Sequence, residues 1–132
     1  MIRDNNSKER NVNIAYYCSK EFIVLVACEL PMDIPLASMI ILSTGEVRAA
    51  MRDPDFRNNK DMTNVLIEAQ RYALKNKMLV PTEGGIFSII HPDHGSNKKM
   101  PEMGAQLQQV VVSGSLWNRW FVPVERVLDG VI

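Results

Sequence analysis

Met62, Val65, Leu66, Ala69, Tyr72 and Ala73 recur at the three-and-four spacing of one buried helical stripe. No other segment of the chain is so strongly periodic. The pattern predicts a helix beginning near Asp61 or Thr63 and running to about Asn76. Thr63, Asn64, Glu68, Arg71 and Lys75 then fall on the opposite side, facing water or a partner. A helix of this length with one apolar face needs other elements to cover it, so the flanking segments are read for what they can supply.

Upstream, Ser43-Thr44-Gly45-Glu46 has the form of a capping box, with a hydroxyl at the cap and a glutamate three residues later. Val47, Ala50 and Met51 follow one helical turn apart, and Asp53-Pro54 closes that segment because proline lacks the backbone donor. The polar bridge Arg57-Asn58-Asn59-Lys60 leads to the long helix. Downstream, Met78-Leu79-Val80 and Ile86-Phe87-Ser88-Ile89-Ile90 flank Pro81-Thr82-Glu83-Gly84-Gly85, which reads as a hairpin.

The order helix, turn, longer helix, hairpin resembles the winged helix-turn-helix family over about residues 20–91. The resemblance implies an α+β fold: a winged-helix-like three-helix core with a β-hairpin, plus a C-terminal strand and helical extension. It also implies a small DNA-binding transcriptional regulator whose recognition helix spans about residues 61–76 and enters the major groove. The DNA-binding positions it assigns are Thr63, Asn64, Arg71 and Lys75, with Lys60 near a phosphate at the helix start. The third helix of that core comes from the continuous apolar run Phe22-Ile23-Val24-Leu25-Val26-Ala27-Cys28, whose periodicity alone fits helix or buried strand. Leu36 to Leu42 follows Pro35, a good first helical residue.

The C-terminal part reads as an addition to that core. Val110-Val111-Val112 belongs to a short strand ending at the turn Ser113-Gly114. A helical turn through Trp117, Trp120 and Phe121 places the three aromatics on one side; with Arg119 they form a candidate partner or dimer surface. Val124, Val127, Leu128 and Val131 form a further apolar stripe. The expected organisation is a flexible arm (1–12), a winged-helix-like domain (13–94) and an extension (95–132) that packs on it or joins two copies. Arg3 and Arg10 in the arm are candidates for a minor-groove contact.

Charge restrains the DNA reading. The chain carries 15 basic and 15 acidic residues in 132, whereas nucleic-acid binding draws on a basic excess that neutralises phosphate. The central segment holds only a slight surplus of cations, and Glu83 stands at the expected wing tip. Both features fit a protein–protein interaction module better, so double-stranded DNA and a protein partner are both carried as expectations, with a homodimer expected for the DNA-binding reading.

Enzyme chemistry has little to stand on. His91-Pro92-Asp93-His94 clusters two imidazoles and a carboxylate, but the proline excludes a helix and no third ligand stands at metal-site spacing. A polar turn is the preferred reading, and neither catalytic residue, metal nor cofactor is expected. Gly84-Gly85 stands alone without a phosphate-cradling loop. Cys18 and Cys28 read as free buried thiols. No apolar run approaches the ~18 residues of a membrane span, and residues 1–10 are unlike a secretory leader, so a cytoplasmic protein is expected.

Overall fold

The apolar run that periodicity leaves undecided is a strand. The computed structural model describes residues 1–129. In order they form β1 (Ile2–Arg3), β2 (Glu9–Arg10), β3 (Val12–Cys18), β4 (Phe22–Glu29), β5 (Ile34–Leu42), β6 (Val47–Arg52), α1 (Lys60–Lys75), β7 (Gly85–Ile90), β8 (Gln106–Val112), β9 (Ser115–Pro123) and α2 (Val124–Asp129). Strands β3-β4-β5-β6 make an antiparallel meander, β7-β9-β8 a second antiparallel sheet, and β1-β2 a small ribbon.

The three-helix winged core is therefore not present: two of its three helices, at 22–28 and 43–51, are replaced by β4 and β6, and 36–42, with its helical start at Pro35, is β5. The reason is local as well as global. Ile23, Val24, Val26, Ile40 and Ile41 are β-branched, stiff at χ1 and suited to a pleated surface. Ser43-Thr44-Gly45-Glu46 is not a cap but the hairpin turn between β5 and β6. Leu42 N–H donates to the Glu46 carbonyl at 2.8 Å, and Gly45 sits at φ +108°, outside helical space. Residues 78–90 do not fold back on themselves as a wing. Only Gly85–Ile90 is a strand, and it pairs with β9.

The predicted long helix does form, as α1. Its cap is Asn59, whose side-chain oxygen accepts from Met62 N–H at 2.9 Å, so the helix starts before Asp61. Met62, Leu66, Ala69 and Ala73 of its stripe are buried on the inner face of the meander, whereas Tyr72, expected to be buried with them, is 50% exposed. One cluster joins Ile23, Leu25 and Ile41 to Ala69, Ala73 and Leu74, with Ile86 and Val127 completing it. A second joins Ala27, Leu36 and Ala37 to Met62, Leu66 and the fully buried Phe56.

The C-terminal aromatics are on β9, not on a helix. Strand alternation puts Trp117 and Phe121 on one face and Trp120 on the other. The turn at Ser113-Gly114 forms, with both residues at positive φ. Of the last apolar stripe, Val124, Val127 and Leu128 lie in α2, whereas Val131 is outside the described residues.

The expected arm is a docked ribbon. Asn5 N–H donates to the Asp55 carbonyl at 2.8 Å, and Arg3 N–H to the Asp61 carboxylate at 2.9 Å. Arg10 ties the ribbon down, meeting Asp4 at 3.0 Å and Glu29 and Asp55 at 3.1 Å each, with its guanidinium over the Phe56 ring. Burial alone raises the Asp4 carboxyl, but N–H donors from Lys8 and Asn6 and the Arg10 charge outweigh it and hold the carboxyl below its ordinary value. A lowered carboxyl pKa contributes stability that is complete above the ordinary value and lost as pH falls through the lowered one. Asp4→Asn is therefore expected to lower the thermal midpoint at neutral pH and to flatten its decline on acidification. Melting curves between about pH 7 and pH 2 check this, and an unchanged slope would refute it.

Candidate functional site

Strand β4 is apolar on both faces, yet only one of them is covered. Ile23, Leu25 and Ala27 point to α1. Val24 and Val26 point the other way, and the register puts matching outward residues beside them. Tyr17 and Ala15 lie opposite on β3; Ile40 and Ser38 lie opposite on β5; Ala49 and Met51 extend the row on β6. Neither apolar cluster includes any of these side chains.

These paired outward positions are uncharged; Arg48, the extra residue at the β6 bulge, is the charge at their margin and is paired with Glu46. Tyr17 is 60% exposed and Met51 69%, while Val24, Val26 and Ile40 are half-buried by their neighbours in the sheet. Strand spacing and rise give four strands of about seven residues a projected area of about 450 Å². A contiguous apolar patch on this scale, in a chain otherwise rich in surface charge, is the kind that marks an interaction surface.

The residues assigned to DNA contact are only partly brought together. Asn64, Arg71 and Lys75 line an open groove of about 830 Å³ between α1 and β3, beside Asp61 and Glu68. Arg71 is already engaged: its Nε donates to the Val127 carbonyl at 2.8 Å and its other arm pairs with Glu68. The Tyr16 and Tyr72 rings pack at a tilt across the groove, their centroids 5.2 Å apart. Burial, and then the neighbouring Tyr72, raises the Tyr16 hydroxyl pKa. Thr63 lies elsewhere, its hydroxyl donating to the Asn59 carbonyl and accepting from Arg52, and Lys60 is exposed at the helix start.

The proposed partner-surface residues are spent largely within the chain. Trp120 is 8% exposed and donates its indole N–H to Asn97 Oδ1 at 2.8 Å. The Arg119 guanidinium lies over the rings of Phe87 at 4.1 Å and Phe121 at 5.1 Å, and Trp117 meets His91 edge-on.

Both histidines cap turns. The Nδ1 atoms of His91 and His94 accept from Asp93 and Ser96 N–H, and Asn97 fastens the loop by donating to the carbonyls of His91, Pro92 and His94. Among the described residues no group of three or more His, Cys, Asp or Glu side chains is placed to hold a metal ion. No described helix is long and apolar enough to cross a membrane. Cys18 is exposed and Cys28 buried, and both are free thiols.

The outward sheet face escaped the sequence reading because its signal is the absence of alternation in Phe22–Glu29. A strand buried on both sides reads the same way as one with a second, unpartnered apolar face. No protein-family model matches the chain, and no curated protein matches it.

Proposed function

We propose that this chain is a protein–protein interaction module that pairs with a second copy of itself through the outward face of the four-stranded meander. The observation that carries the reading is the uncharged surface built from Tyr17, Val24, Val26, Ile40, Ala49 and Met51, with no described element packed on it. A second copy is the occupant because the row is apolar along all four strands, and a two-fold axis lets two such rows cover one another without a complementary charge on the partner. Twisted antiparallel sheets stack face to face at about 10 Å with strands roughly 30° apart. The projected area places the pairing at the small end of specific interfaces, where weak and transient association is the rule, so it is sought at roughly micromolar concentrations and above.

Double-stranded DNA draws less support, because Asp61 and Glu68 border the polar side of α1 and Arg71 is held by its own chain. Sedimentation velocity over a concentration series tests the pairing. Mass should rise from monomer to dimer through roughly micromolar concentrations. A monomer throughout, with duplex DNA bound in a manner that weakens steeply as salt is added, would overturn the proposal in favour of nucleic acid.

A further inference from the structure

The cavity on the other flank of α1 differs from the rest of the surface in what lines it. It measures about 580 Å³ and lies between the edge strand β6, α1 and the 95–103 segment. Arg52, Arg57 and Lys99 line it, and no carboxylate does. Among the described residues none of the three cations forms an ion pair, although Arg3, Arg10, Arg48 and Arg71 all do.

Arg52 is half-buried, and its guanidinium is satisfied only by neutral oxygens, the Asn59 carbonyl at 3.1 Å and the Thr63 hydroxyl at 2.9 Å. A partly desolvated guanidinium with no counter-charge is costly, and burial lowers its pKa accordingly. Lys99 is held in place, donating to Asn58 Oδ1 at 3.0 Å. Part of the remaining wall is soft. Met39, Met100 and Met103 bring thioethers, which are polarisable and adapt to an apolar guest, the Met39 sulfur also accepting from Gln70 at 3.1 Å.

We infer that this cavity binds an amphipathic organic anion, one carrying a single carboxylate or phosphate head on an apolar body. The head would lie among Arg52, Arg57 and Lys99 and the body against the three methionines. The volume is within the range of small-molecule sites. Fork-shaped guanidinium donors suit either oxyanion, so the head group is left for the test to distinguish.

The chain's methionines supply the readout, since Met39, Met51, Met100 and Met103 line the cavity, Met62 is fully buried in the core and Met32 is exposed in the turn after β4. The full chain, labelled with 13C at the methionine methyls, is titrated with decanoate, decyl phosphate, decanol and inorganic phosphate. At least one of the two amphipathic anions should move the Met39, Met100 and Met103 signals while Met62 and Met32 stay fixed, and the tighter of the two identifies the head. Decanol and inorganic phosphate should each bind roughly tenfold or more weakly, each lacking one half of the recognition. The double variant Arg57→Glu, Lys99→Glu alters two exposed side chains. It should lose roughly tenfold or more in affinity with the Met62 signal unchanged, which shows the core intact.

Decanol binding as tightly as the anions, shifts confined to Met32 or Met62, no shift with either anion, or unchanged affinity in the double variant would each overturn the inference.

Discussion

Gly45→Ala is expected to be among the most damaging single-atom additions in this chain, costing roughly 3–5 kcal/mol of folding stability. Two penalties combine. At φ +108° an L side chain is strained, and its Cβ would lie 1.9 Å from the Gly85 carbonyl oxygen and 3.1 Å from the Pro81 Cβ. The neighbour cannot yield cheaply, because the turn and the segment after α1 are bonded backbone to backbone. Thr82 N–H donates to the Ser43 carbonyl at 3.1 Å, Glu83 N–H to Thr44 at 3.2 Å and Phe87 N–H to Gly45 at 3.0 Å.

Gly84→Ala is the control. Its φ of +80° carries the same kind of backbone cost, yet nothing lies within 4 Å of the added atom. About 1–2 kcal/mol is expected there. Urea unfolding midpoints compare the two. Equal losses would mean that the approach of the two sheets at Gly45 is not the constraint, and the account of how the meander is fixed to β7 would have to be abandoned.

Val24→Lys should convert the dimer to monomer, raising its dissociation constant at least about 100-fold. An ammonium buried without a partner costs about 3–5 kcal/mol, and two-fold symmetry brings one from each copy to the same interface. Val24 sits between Tyr17 and Ile40 on the outward face, and its side chain is not in the core, so the monomer should keep its fold and its circular dichroism. Met32→Lys makes the same charge change at a residue 79% exposed in the turn after β4, and it should leave the dimer intact. Loss of pairing in both variants would point to net charge and not to this face.

What could be read from the chain depended on whether the deciding interaction was local. Helix α1 was legible because its apolar period and its polar first turn belong to the segment itself. Even so, its true cap, Asn59, stood inside what read as a bridge. Phe22–Glu29 was not legible in the same way. Its apolar residues fit a helix, and the register that makes it a strand is written in Val12–Cys18 and Ile34–Leu42. The capping box at Ser43 failed for a similar reason. Its residue types suit a helix start, but Gly45 at positive φ and the grip of residues 82–87 make it a turn.

The candidate sites were less legible still. Trp117, Trp120 and Phe121 were visible as an aromatic group, but their division between two faces follows from pairing with β7 and β8. Thr63 and Arg71 read as polar positions of the helix, yet one supports Arg52 and the other binds Val127, contacts no spacing rule contains. The outward sheet face and the cationic cavity gather residues from three or more separate segments.

By itself the sequence determined one amphipathic helix, a turn at Ser113-Gly114 and a neutral balance of charge, each a property of neighbouring residues or of their sum. Only the tertiary structure decided that the N-terminal half is a sheet, which of its faces α1 covers and where unpaired cations collect. Strand pairing is a contract between distant segments, and a side chain's face and counter-charge exist only once the partner strand has arrived.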